Sequence, residues 1–170
     1  PDECPGERVS PLPVRCVVYT NVCTTANAAN ASASPRCVAS SAKALLAVMK
    51  GGHVFLDDGG DIVLEYGKNL RRSGQPGPGD VFFKWVLTNE WGGQRITRVP
   101  ITSRNGDPED FEELPEPSGG VSYDPSDRKF LAVAAAHAEH PQILQSFDSK
   151  WWGWQASLKG AEKSFRPIYS

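Results

Sequence analysis

A chain of 170 residues is the size of one domain with a full core. Its composition, 39% hydrophobic and 22% charged, suits a globular chain and excludes a disordered one, and no apolar run approaches the roughly 20 residues that cross a bilayer. The net charge of -2 argues neither for nor against a nucleic-acid partner, because acids gathered in a site offset basic residues elsewhere.

Residues 1–13, PDECPGERVSPLP, read as a proline-stiffened tail ahead of a domain over 14–170. No basic segment followed by an apolar one lies there, so a signal peptide is not expected. VRCVVY is a short valine-rich run that predicts a buried first strand, ended by TN. A Ser/Ala/Asn-rich loop, TTANAANASASP, leads to RCVASSAKALLAVMKGG, where Val38, Leu45, Leu46 and Met49 fall at helical spacings before a Gly-Gly stop. HVFLDD predicts a second strand and DIVLEYGKNLRRSG a helix that stops at Gly74. GQPGPGD is a connector without the lysine and hydroxyl of a phosphate loop, and Asp80 is placed to cap the helix VFFKWVLTNEW.

RITRVPIT follows as a strand, and SRNGDPEDFEELPEPSGG as an acid-rich surface loop. SDRKFLAVAAAHAEH is a helix with Phe130, Val133 and Ala134 on its apolar face. QILQSF is a strand, SKWWGWQASLKG a short helix and KSFRPIYS a closing strand. Strands alternating with helices predict a mostly parallel sheet covered by helices. None of the four cysteines forms a C-x-x-C pair or stands at zinc spacing from a histidine, and Cys16 reads as a core hydrophobe; with no secretion signal expected, reduced thiols in a cytoplasm are expected.

Four acids lie beside a predicted strand end or helix start: Glu65, Asp124, Asp127 and Asp148. The α/β layout gathers such positions along one edge of the sheet, where ligands bind. Carboxylates crowded together repel, and Mg²⁺ or Mn²⁺ removes that conflict because both favour oxygen ligands. Metal so held can activate water and stabilise a leaving oxygen, which suggests phosphodiester cleavage. Each acid also has a structural reading. Asp124, Asp127 and Asp148 are credible helix caps, and Glu65 stands three residues before Lys68.

The strings VVYTNV, DDGGDIVLEYGKNL, GQPGPGDVFFKWVL, YDPSDRKFLAVAAAH and FDSKWWGW, in this order, resemble a bacterial PIN-domain (PilT N-terminus-like) family. The resemblance runs from about Arg15 to the C-terminus, with DPSDRKFLAVA its most specific part. It implies a three-layer α/β/α fold around a parallel sheet and Mg²⁺- or Mn²⁺-dependent ribonuclease activity, often as a toxin paired with a protein antitoxin. It assigns Glu65, Asp127 and Asp148 as metal-holding and catalytic acids, Asp124 as their neighbour, and Thr20 and Asn21 as support. RNA is the implied partner, and an antitoxin or a second copy of the chain the implied protein partner.

The family's DTNV is here YTNV, with Tyr19 in place of the first metal-binding aspartate. A phenol of pKa about 10 is neutral near pH 7 and larger than a carboxylate. Three explanations follow: a natural protein that gave up catalysis and binds RNA or a protein partner, an inactivated copy of a working nuclease, or a weakened site still holding one metal with help from Asp57 or Asp58. Two basic groups are candidate phosphate contacts or plain solvated faces, Lys68, Arg71 and Arg72 in one, Arg95, Arg98 and Arg104 in the other. His137 and His140 are read as helix C-terminal residues favoured by the dipole. Trp151, Trp152 and Trp154 either pack or stack bases.

Overall fold

In the computed structural model, the described residues are 15–117, 119–146, 153–154 and 168–169. Five parallel strands make one sheet: β1 (Arg15–Val18), β2 (His53–Asp57), β3 (Ile96–Val99), β4 (Gln142–Gln145) and the two-residue β5 (Ile168–Tyr169). Their order is β3-β2-β1-β4-β5. The chain therefore starts at the centre, moves outward through β2 and β3, and returns past β1 to β4. That reversal makes the carboxyl ends of β1 and β4 the topological switch point, where open α/β sheets commonly bind ligands.

Five helices cover the sheet: α1 (Thr20–Ala26), α2 (Pro35–Gly51), α3 (Asp61–Asn69), α4 (Pro78–Asn89) and α5 (Arg128–Ala136). The parallel register sets Val17 beside Ile143, with Phe55 on the same face. α5 packs here, Phe130 meeting the Tyr19 ring edge-on at 4.9 Å. The chain leaves α5 at His137, whose ring lies 4.6 Å from Phe55. On the other side α1, α2 and α4 pack on one another. Arg95 fastens this layer to the sheet, donating to Gly52 O at 2.9 Å and Met49 O at 2.9 Å at the end of α2, with Trp85 of α4 against its guanidinium. The result is the three-layer α/β/α arrangement expected from the resemblance.

Several boundaries differ from the sequence reading. The run after VRCVVY is not a loop but α1, beginning one residue after Tyr19. Thr, Asn and Val are poor helix formers, and burial of Val22, Cys23, Thr25 and Ala26 overrides them. α3 stops at Asn69 rather than at Gly74, because Asp80 Oδ1 takes the Arg71 N–H at 2.8 Å and draws the chain out of the helix. Asp80 does cap α4, accepting from Gly77 N at 2.9 Å. Gly79 is required where α4 meets α1, since a Cβ there would lie 2.2 Å from Cys23 O. The acid-rich loop is more than surface: Phe111 and Leu114 are buried, and Arg104 Nη2 donates to Phe111 O at 3.0 Å.

His137 stands at the C-terminus of α5 as expected, its ring tilted against Phe55, whereas His140 lies beyond the helix at φ 44°. The expectation of reduced thiols also needs correction. Cys37 is disulfide-bonded, whereas Cys16 and Cys23 are free and buried. Spacing in a sequence carries no information on which sulfurs approach within bonding range. The case for a reducing cytoplasm loses that ground. Burial pushes the Cys16 thiol up to about 12, which leaves it an inert core group. Among the described residues, no helix is long and apolar enough to cross a membrane.

Candidate functional site

The rim at the carboxyl ends of β1 and β4 is built from the residues that end the two strands. Asn21, in the first turn of α1, donates from Nδ2 to Ser146 O at 3.1 Å and accepts the Ser146 N–H at Oδ1 at 3.0 Å. This paired amide bond ties the exit of β1 to the exit of β4. Tyr19 and Thr20 are thereby fixed at the same rim. Thr20 Oγ1 donates to Glu65 Oε1 at 2.5 Å across to α3, and the Tyr19 hydroxyl donates to Asp127 Oδ1. Both Tyr19 and Asp127 are buried, the acid completely.

The rim continues through the turn Pro125–Asp127 that opens α5. Asp124 caps this turn, its Oδ1 accepting the Ser126 N–H at 3.1 Å and the Ser126 hydroxyl at 2.8 Å. Lys129 reaches back from α5 and places Nζ 2.5 Å from Glu65 Oε2 and 2.5 Å from Ser126 O. Glu65, Asp124 and Asp127 thus belong to one hydrogen-bonded network joined by Thr20, Tyr19, Ser126 and Lys129. Asp148 lies outside the described residues, as do Trp151 and Trp152.

The resemblance calls for a divalent ion held by these acids. As placed, they do not fit one. Both Glu65 oxygens are taken, one by a hydroxyl and the other by an ammonium, and Asp127 Oδ1 is taken by a phenol. Among the described residues, no group of three or more histidines, cysteines or acids could hold a metal ion. Asp57 gives no help. It is fully buried and accepts the Asp61 N–H at 2.7 Å and the Ile62 N–H at 2.8 Å, so its charge caps α3. Asp58 is exposed, and its carbonyl accepts from Arg98 at 2.7 Å. Beside Asp57, partial burial and the neighbouring charge raise the Asp61 carboxyl, against an opposing pull from Lys129 and Lys68.

The two basic groups divide sharply. Arg95 is spent on α2, as described above. Arg98 pairs with Glu90 at 2.9 Å under the Trp91 ring, and Arg104 pairs with Asp110 at 3.6 Å and Glu116 at 3.3 Å. These three hold structure. Lys68, Arg71 and Arg72 are exposed and make no ion pair among the described residues, with Arg72 lying over Phe83. They follow Glu65 along α3 and past its end. Of the tryptophans, Trp154 is buried edge-on against Tyr123 at 5.5 Å, which is packing rather than an open stacking face.

Two rim residues escape sequence reasoning. Lys129 pairs with an acid far away in the chain, where Lys68 looked the nearer partner for Glu65. Its one local sign is a cation in the first turn of a helix, where the dipole disfavours it. Gln145 ends β4 fully buried, with neither its amide nitrogen nor its amide oxygen hydrogen-bonded to a described residue. No family model matches the chain, and neither a curated protein nor a solved structure does.

Proposed function

We propose that the chain is a PIN-like module on the framework of an Mg²⁺- or Mn²⁺-dependent ribonuclease, catalytically silenced at its first strand and retained as an RNA binder. The observation that carries this reading is the Tyr19 hydroxyl on Asp127. An aromatic ring and a neutral donor stand where the family's motif has an anion, and the acid across from it is buried behind that ring. A phenol cannot replace the lost charge, and its hydrogen bond occupies an oxygen that a metal would need. Support for RNA comes from Lys68, Arg71 and Arg72, three exposed cations on the element that supplies Glu65. Phosphate contacts of that kind position a strand without reading its bases.

The test compares the native chain with Tyr19→Asp. Native protein is expected to bind single-stranded RNA in fluorescence anisotropy, to weaken as salt rises, and to lose binding when Lys68, Arg71 and Arg72 are changed to Glu. It is expected to cleave RNA with Mn²⁺ no faster than buffer alone, whereas Tyr19→Asp gains Mn²⁺ affinity in calorimetry and measurable cleavage. Native cleavage as fast as that of the aspartate form overturns the silenced reading. RNA affinity indifferent to salt and to the three basic residues overturns the RNA assignment.

A further inference from the structure

We propose that the Lys129 ammonium is the resident cation of the rim, a side-chain counter-ion that weakens divalent-metal binding there independently of Tyr19. This rests on the reading above, in which Glu65 and Asp127 derive from a metal-holding set. Three observations converge on it. Nζ contacts Glu65 Oε2 and the carbonyl of Ser126, the residue directly before Asp127, both at 2.5 Å. The pair is shielded, Lys129 being 14% and Glu65 20% exposed, so water and salt screen it less than an ordinary surface pair. The nitrogen also lies 5.3 Å from the Phe130 ring centre, which favours a cation and helps to fix the side chain.

The local cost makes the placement informative. Lys129 is the second residue of α5, where the helix dipole presents positive charge. A lysine there is unfavourable for the isolated helix, and a conflict between local preference and position marks a residue kept for a tertiary purpose. That purpose is visible on the other side of the pair. Glu65 and Asp61 stand on α3, Asp57 ends β2 just before it, and Asp127 ends the turn that leads into α5. Asp57 is held by backbone N–H groups, so the charge left to Lys129 is that of Glu65, which it contacts, and part of that of Asp61, which it shares with Lys68. A divalent ion entering the rim has to displace Nζ from Glu65 or sit beside it, and like charges at that range repel strongly.

The consequence is a double lock. Restoring the strand acid removes the phenol but leaves the ammonium on Glu65. Calorimetric Mn²⁺ titration therefore compares four folded chains: native, Tyr19→Asp, Tyr19→Asp/Lys129→Met and Tyr19→Asp/Lys129→Arg. Methionine keeps an apolar stem over Phe130 and removes the charge, while arginine keeps the charge. The methionine form is expected to bind Mn²⁺ about tenfold or more tighter than Tyr19→Asp, as fits removal of a neighbouring like charge. The arginine form is expected to show no gain. In thermal melts without metal, the methionine form should unfold at lower temperature than Tyr19→Asp and recover with saturating Mn²⁺. Where Lys129→Met does not fold, Lys129→Gln on the same background supplies the neutral member of the comparison.

Equal Mn²⁺ affinity in the neutral and charged forms overturns the Lys129 proposal while leaving the silenced-nuclease reading intact, provided that Tyr19→Asp itself gains metal. Absence of Mn²⁺ binding in every variant overturns both, since the acids are then structural. Binding that appears only when the lysine is neutralised supports the proposal in its strongest form.

Discussion

Asp57 and Asp80 answer to backbone, whereas Glu65 and Asp127 answer to side chains. Asp57 takes two N–H groups at the start of α3. Asp80 takes those of Gly77 and Arg71 and the Asn27 amide at 2.9 Å. In the rim, by contrast, the partners are Thr20, Lys129, Tyr19 and Ser126. Backbone donors cannot be exchanged without moving an element, so the first pair of acids is locked into the fold. Side-chain donors can be replaced one residue at a time, so the second pair can change its function while the sheet stands.

The largest effect is expected at Asp80. Three donors converge on it from the α1–α2 loop, the end of α3 and the start of α4, and removing the carboxylate strands all of them. Asp80→Ala should cost about 3 kcal/mol, as expected for charged hydrogen bonds together with a lost cap, and should lower Tm by roughly 6–12 °C. A loss under about 1 kcal/mol, within the range of exposed pairs, would place Asp80 with the rim acids and erase the contrast.

Tyr19→Phe comes next. It keeps the ring against Phe130 and removes only the hydroxyl on Asp127. Leaving a buried acid without that donor should cost about 1–3 kcal/mol by urea denaturation. A change within about 0.5 kcal/mol of zero would show that the phenol contributes packing alone.

Much of this contrast was legible in the sequence, and the rest was hidden for identifiable reasons. The apolar runs VRCVV and HVFL announce buried strands of a parallel sheet because neither face meets water, while their register is fixed only by the fold. Asp80 as a cap is visible because it precedes an apolar helical run. α1 was missed because its Thr and Asn residues read as a loop, and only the fold supplies the burial that makes them helical. Lys129 was missed because a long side chain chooses its partner in space, and Glu65 has a lysine three residues away that sequence logic prefers. Asp57 was weighed as a metal acid although it sits four residues before the helix it caps, a spacing outside the usual cap pattern.

The pH dependence separates the two pairs more gently. Burial alone would raise the Asp80 carboxyl, but the N–H groups of Arg71 and Gly77 and the Asn27 amide outweigh it and hold it below the ordinary aspartate range. A group depressed on folding stabilises fully above its unfolded pKa of about 3.9 and loses that contribution as pH falls through its lower folded value. Native protein should therefore lose stability steadily below about pH 4, and Asp80→Asn should show a shallower slope there. Identical slopes in the two proteins would mean that other carboxylates carry the acid sensitivity.

Gln145 tests a third condition, a buried polar group answering to nothing. Its neighbour Leu144 pairs with Val18 and accepts the Tyr19 N–H at 2.9 Å, so Gln145 and Tyr19 follow each other at the ends of adjacent strands. An unsatisfied buried amide costs roughly 1–3 kcal/mol, whereas a methionine of similar length carries no such penalty. Gln145→Met should thus be neutral or should raise Tm by a few degrees, the smallest change of the series. The same substitution on Tyr19→Asp should be worse than on the native background, because an aspartate at position 19 would offer the amide an acceptor. That reversal of sign would show that the rim was laid out for a carboxylate at the end of β1, and that Gln145 still faces the place where Tyr19 now stands.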